Sequence, residues 1–178
     1  VISASERLTL SGSSTLSASA FGPGDSGTLI LEVYDGAVEL LDASKVLVQG
    51  VLSSGNSGGL AVNAASLILL NGSEIDTSTF SEGDSGTLDV NVQTGSVELL
   101  NDSFLFAQSN RDATGNAGSV TINAEYLCIR DGSGISTVAQ TAGTSGDLFV
   151  NTPNGRTEVV GVSDNGRSFL QASTQGNG

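Results

Sequence analysis

Residues 115–137 read GNAGSVTINAEYLCIRDGSGIST and residues 55–77 read GNSGGLAVNAASLILLNGSEIDT, two near-copies of one unit in a single chain. The unit's punctuation is a Gly-[Asn/Asp/Thr]-[Ser/Ala]-Gly turn, found at Gly24–Gly27, Gly55–Gly58, Gly83–Gly86, Gly115–Gly118 and Gly143–Gly146. The closing glycines advance by 31, 28, 32 and 28 residues. A repeat of this length cannot bury its apolar face alone, so the chain must be a solenoid, a propeller or another stacked array.

Aligning the units by their turns gives three apolar alternations per unit. The first is Leu29/Leu31, Leu60/Val62, Leu88/Val90, Val120/Ile122 and Leu148/Val150. The second is Leu8/Leu10, Val38/Leu40, Leu67/Leu69, Val97/Leu99 and Leu127/Ile129, with Thr157/Val159 as a weaker sixth. The third is Leu16/Ala18, Val46/Val48, Ile75/Thr77, Leu105/Ala107 and Ile135/Thr137, and its inward positions shrink through Ala20, Gly50, Thr79, Ser109 and Ala139. Spacing by two marks strands with one buried face.

Ladders of identical residues choose among the arrays. Ser14, Ser44, Ser73, Ser103 and Ser133 share one register between the second and third strands, and Asn63, Asn91, Asn123 and Asn151 share another just after the first. In a coil each residue lies about 4.8 Å above its equivalent. Stacked amides and hydroxyls then bond along the row, whereas propeller blades, spread around an axis, gain nothing from it. The connection between first and second strands alternates long (Leu31 to Val38, Val90 to Val97, Val150 to Thr157) with short (Val62 to Leu67, Ile122 to Leu127). Corners of a solenoid tolerate such insertions. Pro23 and Pro153 both fall in corners, where a missing donor spares the ladder.

The expected fold is therefore all-β: a parallel β-helix of about 28–32 residues and three strands per coil. The coils are placed at 1–25 (partial), 26–56, 57–84, 85–116, 117–144 and 145–178, a single domain rising about 29 Å. The start, Val1-Ile2-Ser3, reads as mid-repeat and Gly176-Asn177-Gly178 as the beginning of another turn. A stretch of a longer rod is expected, with open ends inclined to end-to-end association.

Outward positions of the second strand read Thr9, Glu39, Ile68, Glu98, Cys128 and Glu158. Carboxylates on alternate coils lie about twice 4.8 Å apart, which limits their repulsion. Nineteen acidic against six basic residues give a net charge of −13, and the cations Arg7, Lys45, Arg111, Arg130, Arg156 and Arg167 are scattered. Nucleic acid is not an expected partner. One cysteine excludes an internal disulfide, and no run of eighteen apolar residues suggests a membrane-spanning helix.

The Gly-Asn-Ala-Gly turn, the Val-x-Ile-Asn strand, the Leu-x-Ile-x-Asp-Gly-Ser corner and the Ile-Ser-Thr strand of residues 115–137 resemble the repeats of filamentous-haemagglutinin-like exoproteins. These are the large secreted partners of two-partner secretion systems, and the resemblance is especially to the long cyanobacterial ones. The likeness runs from Leu8 to about Gly146; the last coil departs from it at Val160–Gly166. The resemblance implies a right-handed helix, exported through an outer-membrane transporter of a Gram-negative bacterium. It implies display at the cell surface or release as a fibrous adhesin. It transfers no receptor-binding residues, because the shared motifs are structural.

With no histidine, Ser-His-Asp and Cys-His nucleophilic sites are excluded. Cys128 has outward parity and is expected to be a partly covered surface residue. Asp76 and Asp89 are outward carboxylates, the residues a β-helical polysaccharide lyase or hydrolase would need, but no acid pair with a nearby cation recurs. No catalytic, metal or cofactor site is expected. Asp25 and Asp84 read as turn-forming side chains, since a calcium roll needs a nine-residue repeat. Thr77 and Thr137 have inward parity, against a flat ice-binding array. Leu47 and Phe106, outward on the third strand of alternate coils, are candidate lateral contacts. The functional expectation is a spacer rod of an adhesin, without catalysis. A sheet face that binds carbohydrate or another surface component, and a β-helical lyase or hydrolase, are the alternatives.

Overall fold

The computed structural model describes residues 1–52, 54–92, 94–110 and 112–175. Arg111 and the expected turn at Gly176-Asn177-Gly178 lie outside the described residues. Among those described, all regular structure is strand.

The first rung is β1 (Ile2–Ala4), β2 (Arg7–Leu10) and β3 (Thr15–Ser17), and the second is β4 (Leu29–Val33), β5 (Ala37–Leu41) and β6 (Lys45–Leu47). The third is β7 (Leu60–Ala64), β8 (Ser66–Leu70) and β9 (Glu74–Asp76), and the fourth is β10 (Leu88–Val92), β11 (Ser96–Leu100) and β12 (Phe104–Phe106). The fifth is β13 (Val120–Asn123), β14 (Tyr126–Arg130) and β15 (Gly134–Ser136). The sixth holds β16 (Leu148–Asn151), β17 (Arg156–Val160), a short hairpin of β18 (Val162–Ser163) and β19 (Gly166–Arg167), and β20 (Phe169–Gln171). Each expected coil window contains one such set.

Equivalent strands pair in parallel, rung upon rung, into three six-stranded sheets: β1-β4-β7-β10-β13-β16, β2-β5-β8-β11-β14-β17 and β3-β6-β9-β12-β15-β20. This is a parallel β-helix with three strands per coil. The registers match the apolar columns read from the sequence, with Leu60 opposite Leu88, Val97 opposite Leu127 and Leu105 opposite Ile135. The interior is the stack of these columns: Leu31, Leu40, Leu69, Leu99, Ile122 and Ile129 are fully shielded from solvent. The shrinking positions Ala20, Gly50, Thr79, Ser109 and Ala139, with Thr174, form a file of single parallel bridges beyond the third sheet.

Four strands escaped the pattern. β1 completes the first rung, and β20 supplies the third strand of the last, Leu170 lying opposite Ile135. Between β17 and β20 the residues around Val160–Gly166, where the repeat breaks, make the antiparallel β18–β19 hairpin. It folds back over the fifth rung: Ser163 Oγ donates to Asp102 Oδ1, and Asn165 Nδ2 donates to Asp102 Oδ2 at 2.9 Å.

The Gly-x-x-Gly turns are explained by contact. A Cβ on Gly86 would lie 1.9 Å from the carbonyl oxygen of Gly58, and one on Gly83 would lie 1.9 Å from that of Gly55. Both ends of the turn pack backbone on backbone against the coil before, leaving no room for a side chain.

Candidate functional site

The ladders spend most of the residues that looked functional. At the corner between the second and third sheets, two consecutive residues take positive φ, as at Asp42-Ala43 (56°, 59°), Asn71-Gly72 (58°, 75°) and Asn101-Asp102 (55°, 58°). Asn, Asp and Gly tolerate this left-handed turn best. The ladder serine follows it and closes it: Ser44, Ser73 and Ser103 Oγ donate to the carbonyls of Leu41, Leu70 and Leu100 at 2.7–2.8 Å. The same hydroxyls tie coils together. The backbone N–H groups of Ser14, Ser73 and Ser103 donate to the Oγ atoms of Ser44, Ser103 and Ser133.

In the glycine turns Asp25, Asn56, Asp84 and Asn116 form a second file. Each side-chain oxygen accepts the backbone N–H of the next coil's equivalent: Asn56 on Asp25, Asp84 on Asn56, Asn116 on Asp84 and Thr144 on Asn116, all at 2.7–3.0 Å. Asp25 and Asp84 are therefore turn residues, as expected. Thr77 and Thr137 face inward, where each hydroxyl donates to a turn carbonyl, that of Gly86 or Gly146, at 2.9 Å.

The asparagine ladder corrects the reading of its position. Asn63, Asn91, Asn123 and Asn151 do not follow the first strands but lie within them, on the outer face of the first sheet. Nδ2 of Asn91, Asn123 and Asn151 donates to Oδ1 of the asparagine one rung before, at 3.1, 2.9 and 3.2 Å. Glu32 precedes Asn63 in the row, opposite it in register.

Beside this row the long-corner residues Tyr34, Asp35, Thr94, Pro153 and Asn154 are exposed, and the short corners, at Ala65 and Glu125, alternate with them along the rod. Two clefts result. One, of about 390 Å³, lies over Asn63, Ala64 and Ala65 between Tyr34 and Thr94. The other, of about 300 Å³, lies over Asn123, Ala124 and Glu125 against Pro153 and Asn154. The alternation of corner lengths was visible in the sequence, but the clefts it makes were missed.

On the third sheet, Leu47, Asp76 and Phe106 stand in one row on successive rungs. Leu47 and Phe106 were expected to be exposed; both are partly buried, Phe106 stacking on Phe104 with ring centroids 5.1 Å apart. Asp76, expected outward and accessible, is only 3% exposed between them. Burial pushes its carboxyl up to about 7, with Glu74 adding repulsion and hydrogen bonds from Ser78 and Gln49 opposing the shift. Asp89 lies on the first sheet, one rung on, so the two acids are not brought together.

Cys128 keeps the outward parity expected of it but is 5% exposed, not a partly covered surface thiol. It sits in the row between Glu98 and Glu158. Their long side chains flank a short one, and Arg130 and Arg156 both pair with Glu158 over the same surface. The rest of the row is Thr9, Glu39, Ile68 and Glu98 in register, so carboxylates do alternate with uncharged residues from coil to coil. Arg7 and the hydroxyl of Thr9 approach Glu39.

Among the described residues no three metal-ligating side chains converge, and no helix is long and apolar enough to cross a membrane. Comparisons with protein-family models, with curated proteins and with solved structures return no match.

Proposed function

We propose that this chain is a length of the structural rod of a secreted or surface-displayed, adhesin-like exoprotein, a spacer that holds a binding region away from the cell without catalysis. The observation that carries this reading is how the polar side chains are used. Serine, asparagine and aspartate recur coil after coil in hydrogen-bonded files that fasten each coil to the next. Such files are a device for building length. The likeness of the repeat unit to filamentous-haemagglutinin-like exoproteins adds the setting: export through an outer-membrane transporter of a Gram-negative bacterium. Neighbouring coils of the parent chain are the rod's first partners.

Antibodies raised against this segment should label intact cells or bind protein from the culture medium. Labelling that appears only after the cells are permeabilised would sink the proposal.

A further inference from the structure

We infer that the two clefts on the first sheet form a repeating binding site for an uncharged, extended, β-linked polysaccharide lying along the rod axis. The site does not depend on surface display of the rod; its base is the asparagine row. In each internal ladder amide, one N–H and one acceptor position of the oxygen serve the ladder. The stoichiometry of the group leaves a second N–H and a second acceptor position on each. The row is thus a line of paired donors and acceptors repeating at about 4.8 Å. Sugar hydroxyls, which both donate and accept, match it.

The corners add the second period. Long corners stand two coils apart, so the clefts between them recur at about 10 Å. In an extended β-linked chain alternate sugars face opposite ways, and equivalent hydroxyls return at every second residue, a distance comparable with two coils. A peptide strand laid along the row would repeat at about 6.8 Å, out of step with both spacings. Each cleft carries one carboxylate, Glu32 in the first and Glu125 in the second, on a chain of net charge −13. That field repels uronic acids, sulfated glycans and phosphate-bearing polymers. Tyr34, 71% exposed on the wall of the first cleft, offers an aromatic face to a sugar ring.

The test is calorimetric titration of the folded chain with neutral β-linked gluco-oligosaccharides of increasing length, and with oligogalacturonate. Binding should strengthen about tenfold once the oligosaccharide, at about four sugars, spans about four coils and so reaches both clefts. Oligogalacturonate should not bind. Tyr34→Ala should weaken binding about three- to tenfold at unchanged melting temperature, because Tyr34 lies on the surface. Thr94→Arg, which fills the first cleft, should remove the gain with length. The inference is overturned by an absence of neutral-glycan binding at millimolar concentration, by equal or tighter binding of oligogalacturonate, or by a Tyr34→Ala variant that binds as the parent does.

Discussion

A single side chain in this fold is judged by the coil above and the coil below. Ser103 Oγ donates to Leu100 O and accepts Ser73 N–H, and the residue is fully buried. Ser103→Ala leaves the buried Ser73 N–H without its acceptor, while Leu100 O keeps the N–H of Asn71, and is expected to cost about 1–3 kcal/mol in denaturant unfolding. Ser14→Ala, on the exposed first rung, should cost less. Gly86→Ala drives a Cβ into the Gly58 carbonyl and should abolish the native fold, read as loss of the cooperative melt, whereas a Cβ on Gly22 meets nothing within 4 Å. Asp76 behaves differently, because its folded pKa lies near 7 against an ordinary 3.8. Between those values the folded state keeps a proton that the unfolded state has lost, so stability falls as pH rises, by at most about 1.4 kcal/mol per unit. Asp76→Asn should flatten this decline, leaving stability near pH 4 little changed and raising it near pH 8. Equal pH profiles for the two proteins would refute that account. The ladder residues were legible as equal letters at equal spacing. Asp76 was not, because its burial is produced by Leu47 and Phe106 on adjacent rungs.

Among the elements, strands obey the repeat and corners carry the individuality. The β18–β19 hairpin occupies the stretch where the repeat was seen to break, and sequence could locate the break but not its destination. That destination is Asp102, two rungs away, which accepts hydrogen bonds from Ser163 and Asn165. Alanine is already accommodated in the same left-handed corner at Ala43, φ 59°, so Asp102→Ala is expected to release the hairpin without unfolding the corner. Amide exchange in β18 and β19 should quicken about tenfold or more while the three sheets keep their protection. Unchanged exchange would show that the hairpin is held by other contacts. Phe169 illustrates the same dependence: its ring lies where a Cβ on Gly134 would stand, and it reaches Phe104 at 6.1 Å between centroids. A glycine in a strand announced a close approach without saying by what.

For the whole molecule the unit of construction is two coils. Removing residues 57–116 keeps the alternation of long and short corners, preserves a Gly-Asn-Ala-Gly junction and should shorten the solenoid by about 10 Å in small-angle scattering. Removing only 57–84 stacks Glu39 directly against Glu98 and one long corner on another. Although longer, that variant should melt no higher than the two-coil deletion; a clearly higher melting temperature would mean that charge spacing and corner alternation contribute nothing to stability. The repeat by itself determined the class of fold, the three strands per coil, the registers and the serine and asparagine files, because a stacked array must place like residues over like. Only the tertiary structure decided that the asparagines lie on an outer strand face, that alternating corners enclose two clefts, that Asp76 and Cys128 are covered, and that the final corner straps back to Asp102. The clefts and the cover over Asp76 and Cys128 depend on how much side chain the adjacent coils project over a position, a property of neighbours roughly thirty residues away, and the strap joins residues 61 and 63 apart; no local pattern carries either.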